Sequence, residues 1–111
     1  MLFKKHLLHK VLDGSKVQSR RRCISKVRYK VGSTQPVKSN YYEKAQGHIK
    51  IDRRFEQSLT DMTEEEAKAE GFKNLAEFRR EWPIITKQPL DLQEIVTAYE
   101  FHKTEKPKQP N

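Results

Sequence analysis

The sequence is poor in three things: cysteine, glycine and long apolar runs. Cys23 is the single cysteine, which excludes an internal disulfide framework and a thiolate zinc cluster. The four glycines are scattered, so there is no glycine-rich loop to cradle phosphate and no Gly-x-Ser-x-Gly nucleophile elbow. No stretch approaches the roughly 18 apolar residues of a membrane span, and a membrane partner is not expected. Met1–His6 shows neither a continuous apolar stretch nor a small-residue cleavage site, so no secretory leader is expected and the reading is cytoplasmic. Among His6, His9, His48 and His102 only the first two stand at chelating spacing, with no third ligand completing a site. No metal or other cofactor is expected.

Acidic residues are also scarce, but only in one half. Residues 1–50 carry 13 basic and 2 acidic side chains, a net +11, whereas residues 51–102 carry 7 and 12, a net −5. The whole chain of 111 residues has a net charge of +8. Cations gathered into one half point to a polyanion, RNA first, as the partner. With 34% apolar residues, below the roughly 45–50% (glycine included) of an average globular domain, one small core is expected over residues 1–102. Residues 103–111 form a polar basic tail.

Apolar spacing predicts a helix over 2–13, closed by Gly14. Residues 17–31 read as one or two strands. From Cys23 on, the odd positions are mostly apolar and Lys26, Arg28 and Lys30 alternate with them. Arg20 and Arg22 extend a solvent-facing cationic row, and Cys23 is read as a buried filler. Val37 marks a short strand, and Ile49, Ile51 and Phe55 place a strand over 48–55 with these three on one face. Thr63 and Glu66 have the spacing of a capping box. Gly71 ends that first helix. Asn74 starts a second, with Leu75, Phe78 and Trp82 on its apolar stripe and Pro83 as its stop. Phe72 joins that stripe in a core expected to include Phe101 or Tyr99. A final strand covers 94–102, with both faces partly covered. This order of elements is that of a small α+β domain whose sheet is expected to curl into a barrel.

Several of these residues occur in a known arrangement. Gly14, Lys16, Ser19 and Arg21 follow the opening helix as Gly-x-Lys-x-x-Thr-x-Arg does in the ASCH domain family, a small relative of the PUA fold. The run from Leu59 to Phe72, with Ala67, Glu70, Gly71 and Phe72 in register, resembles that family's Glu-Gly-Phe helix. Glu77, Phe78 and Trp82 match its second helix, and Val96–Phe101 its closing strand. The resemblance covers about residues 5–102. It implies a PUA-like β-barrel with flanking short helices and a cleft between the opening motif and the acidic helix.

Some bacterial members of that family are amidohydrolases of N4-acetylcytidine that use a Lys, a Thr and a Glu. These positions fall on Lys16, Ser19 and Glu70. A lysine can serve as base or nucleophile, a hydroxyl can position water, and a carboxylate can orient the lysine. The same three residues are equally consistent with a structural ion pair. Other members are linked to RNA binding or cleavage, so a ribonuclease using this cleft is a further reading. Two departures from the pattern, Ser19 for Thr and Arg20 for an apolar residue, favour polyanion contact. The expected RNA contacts are Lys16, Arg20, Arg21, Arg22, Lys26, Arg28, Lys30 and Lys38, with Tyr41 and Tyr42 suited to stacking on bases. The expected role is that of an accessory or structural RNA-binding component of a ribonucleoprotein such as the ribosome. Its RNA would be ribosomal or another structured RNA.

Overall fold

The computed structural model describes residues 1–23 and 28–106. Helix α1 (Lys5–Asp13) is followed by strands β1 (Gln18–Arg22), β2 (Thr34–Val37) and β3 (Gly47–Ser58). A 3₁₀ turn (Leu59–Asp61), helices α2 (Glu64–Ala69) and α3 (Leu75–Thr86), and strand β4 (Ile95–Thr104) complete the order. The four strands form one antiparallel sheet in the order β1-β4-β3-β2. Among the described residues the sheet is open and not a barrel, with β1 and β2 as its two edges. The edges are too short and too few to meet: β1 has five residues and β2 four. Among the described residues no helix is long and apolar enough to cross a membrane.

Two apolar clusters flank the sheet. The first gathers Phe3, Leu8 and Val11 with Val37, Ile49, Ile51, Tyr99 and Phe101. The second gathers Leu7 with Leu59, Met62, Ala67, Phe72, Phe78, Trp82 and Val96. The aromatic stripe of α3 therefore packs on Val96, while Tyr99 and Phe101 belong to the first cluster. Alternation along β4 explains this: Val96 faces one side of the sheet and Tyr99 and Phe101 the other. Both faces of β4 are covered, one by each cluster, and Val96, Thr97, Ala98 and Tyr99 are all buried.

The local signals in the sequence are realised. Gly14 closes α1 in the left-handed region at φ 86°, donating its N–H to the Val11 carbonyl. Thr63 and Glu66 form a reciprocal capping box on α2, and Asn74 caps α3.

Other expectations are corrected. Helix α1 begins at Lys5, not residue 2. The preceding residues run extended beside Lys38, with Phe3 N–H donating to the Lys38 carbonyl and Lys38 N–H to that of Met1. Pro83 lies inside α3, which continues to Thr86. Ile85 goes on packing against the second cluster, which offsets the single hydrogen bond proline removes. β1 stops at Arg22 because its partner Val96 is the second residue of β4, leaving almost nothing further to pair with. Residues 28–30 are irregular, and the predicted strand from 23 to 31 does not form among the described residues. Cys23 is half-buried just past β1, its thiol 3.2 Å from the Thr97 hydroxyl. In β3 a bulge at Asp52 sets Ile51 opposite Phe101 but Arg53 opposite Glu100. The extra residue reverses the phase, so Phe55 does not share the face of Ile49 and Ile51.

Candidate nucleic-acid interface

The turn after α1 is fastened to the end of α2. Lys16 N–H donates to the Lys10 carbonyl and Val17 N–H to that of Ala69. Gly71 permits this approach: its φ is +99°, and a Cβ there would stand 3.0 Å from Lys10 Cδ and 3.4 Å from Lys16 Cβ. The Gly-x-Lys turn and the Glu-Gly-Phe turn, more than fifty residues apart, are thus built against each other.

Their contact holds a buried ionic network. The Lys16 ammonium donates to the Gln18 carbonyl at 2.8 Å, the Glu70 carbonyl at 2.8 Å and Glu70 Oε1 at 3.0 Å. All three of its protons are engaged. Burial pulls the Lys16 pKa down, and the Glu70 carboxylate opposes that shift. The second oxygen of Glu70 accepts from Arg20 Nη1 at 2.9 Å. Arg20 also donates to Glu66 Oε2 at 2.7 Å, to Gln57 Oε1 and to Gln18 Oε1. Its side chain is fully buried. Two cations and two carboxylates cancel, which is what makes burying Lys16, Arg20 and Glu70 beside the half-buried Glu66 tolerable. Burial would raise the Glu66 pKa. Hydrogen bonds from Gln57 and the Thr63 backbone, with the Arg20 charge, outweigh it and hold the carboxyl below its ordinary value.

Beside this network lies a cleft of about 390 Å³ along the free edge of β1. Ser19, Arg20, Arg21 and Arg22 form its floor with Lys16 and Glu70. Leu2, Phe3, Lys4 and Leu7 line one wall and Phe72, Phe78, Trp82, Ile85 and Thr86 the other. Ser19 is buried, and its hydroxyl makes no hydrogen bond among the described residues. Arg21 is the cation of this floor with which no carboxylate forms an ion pair among the described residues. Its guanidinium lies 5.2 Å from the centre of the Phe3 ring and donates to the Leu2 carbonyl at 2.7 Å. Its Nε is buried without a partner. Burial lowers the Arg21 pKa, with Tyr29, Glu70 and Tyr99 acting against it.

The residues named from the sequence thus have different fates. Lys16, Ser19 and Glu70 come together, and Arg20 and Arg21 join them. Arg20 and Arg22 do not extend a solvent-facing cationic row: Arg20 is sealed by Glu66 and Glu70, and Arg22 pairs with Glu94 at 2.7 Å. Lys26 lies outside the described residues. Arg28 and Lys30 are exposed in the irregular segment before Gly32. Lys38 is half-buried, held by its backbone to Met1 and Phe3. Ser39, at the rim of the cleft, begins the loop that carries Tyr41 and Tyr42. These are 78% and 99% exposed, and Asn40 Oδ1 accepts the N–H groups of Tyr42 and Glu43 to shape the turn.

Sequence reasoning missed the wall formed by Leu2, Phe3 and Lys4, because it placed them in α1. It also missed Gln18, Gln57 and Glu66. Glu66 was legible only as a helix cap, a role that leaves its other oxygen for Arg20. No group of three or more His, Cys, Asp or Glu side chains able to hold a metal ion is present among the described residues.

No protein-family model matches the sequence, and neither does any curated protein. Solved structures do match. An ASCH domain from Lactobacillus crispatus JV V101 superposes with a TM-score of 0.74 at 18% identity, over 88% of this chain and 70% of that one. Protein EF3133 of Enterococcus faecalis V583, with the family designation DUF984, superposes with a TM-score of 0.69 at 15% identity, over 90% and 68%. The chain therefore shares the fold of that ASCH domain, here with an open four-stranded sheet among the described residues.

Proposed function

We propose that this protein binds RNA, seating one nucleotide in the cleft along β1. The observation that carries this reading is Arg21: a cation on the cleft floor, stacked on Phe3, with which no carboxylate forms an ion pair among the described residues. Arginine in that setting offers a planar fork for phosphate or a base edge. The apolar walls suit a base, and about 390 Å³ falls within the range of small-ligand pockets. Lys4 on the wall and Lys38 near the rim supply further positive charge. Tyr41 and Tyr42, on a loop starting at the rim, suit stacking on neighbouring bases. Lys16 and Arg20 serve instead as the frame that fixes β1 against α2. Titration of mononucleotides and single-stranded RNA tests the reading, with Arg21→Gln expected to weaken both. An accessory place in a ribonucleoprotein such as the ribosome extends the proposal. It is tested by sequencing the RNA that co-purifies with the native protein.

A second reading, amide hydrolysis on acetylated cytidine, is favoured by one observation. The Lys16–Glu70 pair stands at 3.0 Å with the unbonded Ser19 hydroxyl lining the same cleft. Burial pulls the Lys16 pKa down, the direction a base or nucleophile requires, although the Glu70 carboxylate opposes it. Deacetylation of N4-acetylcytidine that vanishes in Lys16→Ala would place this reading first, whereas no turnover by the intact protein would remove it.

A further inference from the structure

A second depression, of about 310 Å³, lies on the sheet and is lined by Arg28, Arg54, Phe55, Glu56 and Thr97. Nothing in the opening motif or the acidic helix contributes to it. It exists because of the bulge at Asp52. Before the bulge, Ile49 and Ile51 face the side of the sheet that carries Tyr99 and Phe101. After it the phase reverses, so Arg54 and Glu56 take up that side, opposite Tyr99 and Thr97. An uninterrupted strand would have turned Arg54 to the other face.

Tyr29 connects this depression to the cleft. Its backbone N–H donates to the Tyr99 hydroxyl at 3.3 Å, and its ring meets that of Tyr99 edge-on with centroids 5.4 Å apart. Its carbonyl faces Arg54, whose Nη1 stands 3.5 Å away. Its phenol, raised in pKa mainly by burial, also feels the Arg21 guanidinium of the cleft and the Tyr41 phenol of the exposed loop. Tyr29 therefore packs on Tyr99 and borders the second depression through Arg54, with Arg21 of the cleft and Tyr41 of the loop within electrostatic range of its phenol.

We propose that RNA leaving the cleft crosses Tyr29 and sets its next backbone unit in the Arg28–Arg54–Thr97 depression, so that the bound species is a single-stranded segment and not an isolated nucleotide. This rests on the cleft being an RNA site. Arg54 is exposed, and its guanidinium reaches Tyr29 only by a long contact, so it can turn to a phosphate at little cost. Glu56 fixes the chemistry further. A carboxylate beside the two arginines disfavours a free phosphate ion, but it accepts from a ribose 2′-hydroxyl or an exocyclic amine. The depression thus suits a ribonucleotide backbone over inorganic phosphate.

The experiment compares a mononucleotide with a single-stranded oligonucleotide on the intact protein, with Arg54→Gln, Arg54→Glu and Arg21→Gln as variants. Arg54→Gln is expected to leave mononucleotide affinity unchanged. It should weaken the oligonucleotide by about three- to tenfold and flatten its log K against log[salt] slope by about 0.7, the value for one lost phosphate contact. Arg54→Glu should weaken the oligonucleotide further, and inorganic phosphate should not compete with it at this depression. If both Arg54 variants bind the oligonucleotide as the wild type does while Arg21→Gln loses it, the path over Tyr29 is wrong and the cleft reading stands. If the wild type binds neither probe, the cleft reading falls and takes this one with it.

Discussion

Two basic stretches of this chain have similar compositions and opposite fates. Lys16, Arg20 and Arg22 are each met by a carboxylate, whereas Arg28 and Lys30, six to fourteen residues later, are exposed, Arg28 donating to the Cys23 carbonyl. What separates them is the neighbouring element. β1 runs beside the C-terminal end of acidic α2, whereas Tyr29, between the two exposed cations, packs on Tyr99 and lies beside Arg54. Charge in a sequence thus becomes structure where an oppositely charged element packs against it, and surface elsewhere. Arg21 lies between the two cases: it sits within the paired stretch, yet it donates to a backbone carbonyl, that of Leu2.

The largest expected effect breaks the paired stretch. Glu70→Ala leaves Lys16 and Arg20 buried with one carboxylate fewer, and should destabilise by about 3–5 kcal/mol, the usual loss on removing one partner of a buried pair. Urea unfolding measures it, and a loss within experimental error would mean that water reaches the network. Gly71→Ala comes next. It puts a Cβ 3.0 Å from Lys10 Cδ at φ +99° and should cost about 1–3 kcal/mol. An unchanged unfolding midpoint would show that the two turns are not in contact.

The pH dependence is smaller. The Glu66 carboxyl is depressed in the folded protein, so its stabilising contribution is complete above the ordinary value of 4.5 and is lost as pH falls through the lower folded value. Glu66→Gln should flatten the acid limb of the stability curve. An identical limb in the two proteins would contradict the Gln57–Glu66–Arg20 link. Smallest of all on stability are changes in the exposed regions. Tyr42→Ala should leave the unfolding midpoint unchanged. The same substitution should weaken single-stranded RNA by about 1–3 kcal/mol if a base stacks there. RNA binding unaffected by Tyr42→Ala would move the RNA path away from the loop.

Much of this was legible in the sequence where the signal is local. The caps at Thr63 and Asn74 and the left-handed turn at Gly14 depend on a few neighbouring residues and formed as their spacing implies. The meeting of Lys16 with Glu70 is not local, and only the resemblance to the ASCH pattern brought them together. The misses share a cause of a different kind. β1 ends where its partner strand does, which no property of residues 23–31 can reveal. The bulge at Asp52 appears only in the pairing with β4, and it moved Phe55 and Arg54 to the faces opposite those alternation gives them. Arg20 was read as solvent-facing because strand alternation says which face a side chain takes, not what covers that face.

The most direct test of the account concerns Arg21. Wild-type protein and Arg21→Gln, both verified as folded, are titrated with single-stranded RNA over a range of salt concentrations. Replacing a charge-assisted contact of about 1.5–3 kcal/mol should weaken binding by about tenfold or more for every sequence tried. If Arg21 meets a phosphate, the salt slope should also fall by about 0.7. Equal affinity and equal slope in the two proteins, or no binding by the wild type, would contradict the claim that this cleft is an RNA site.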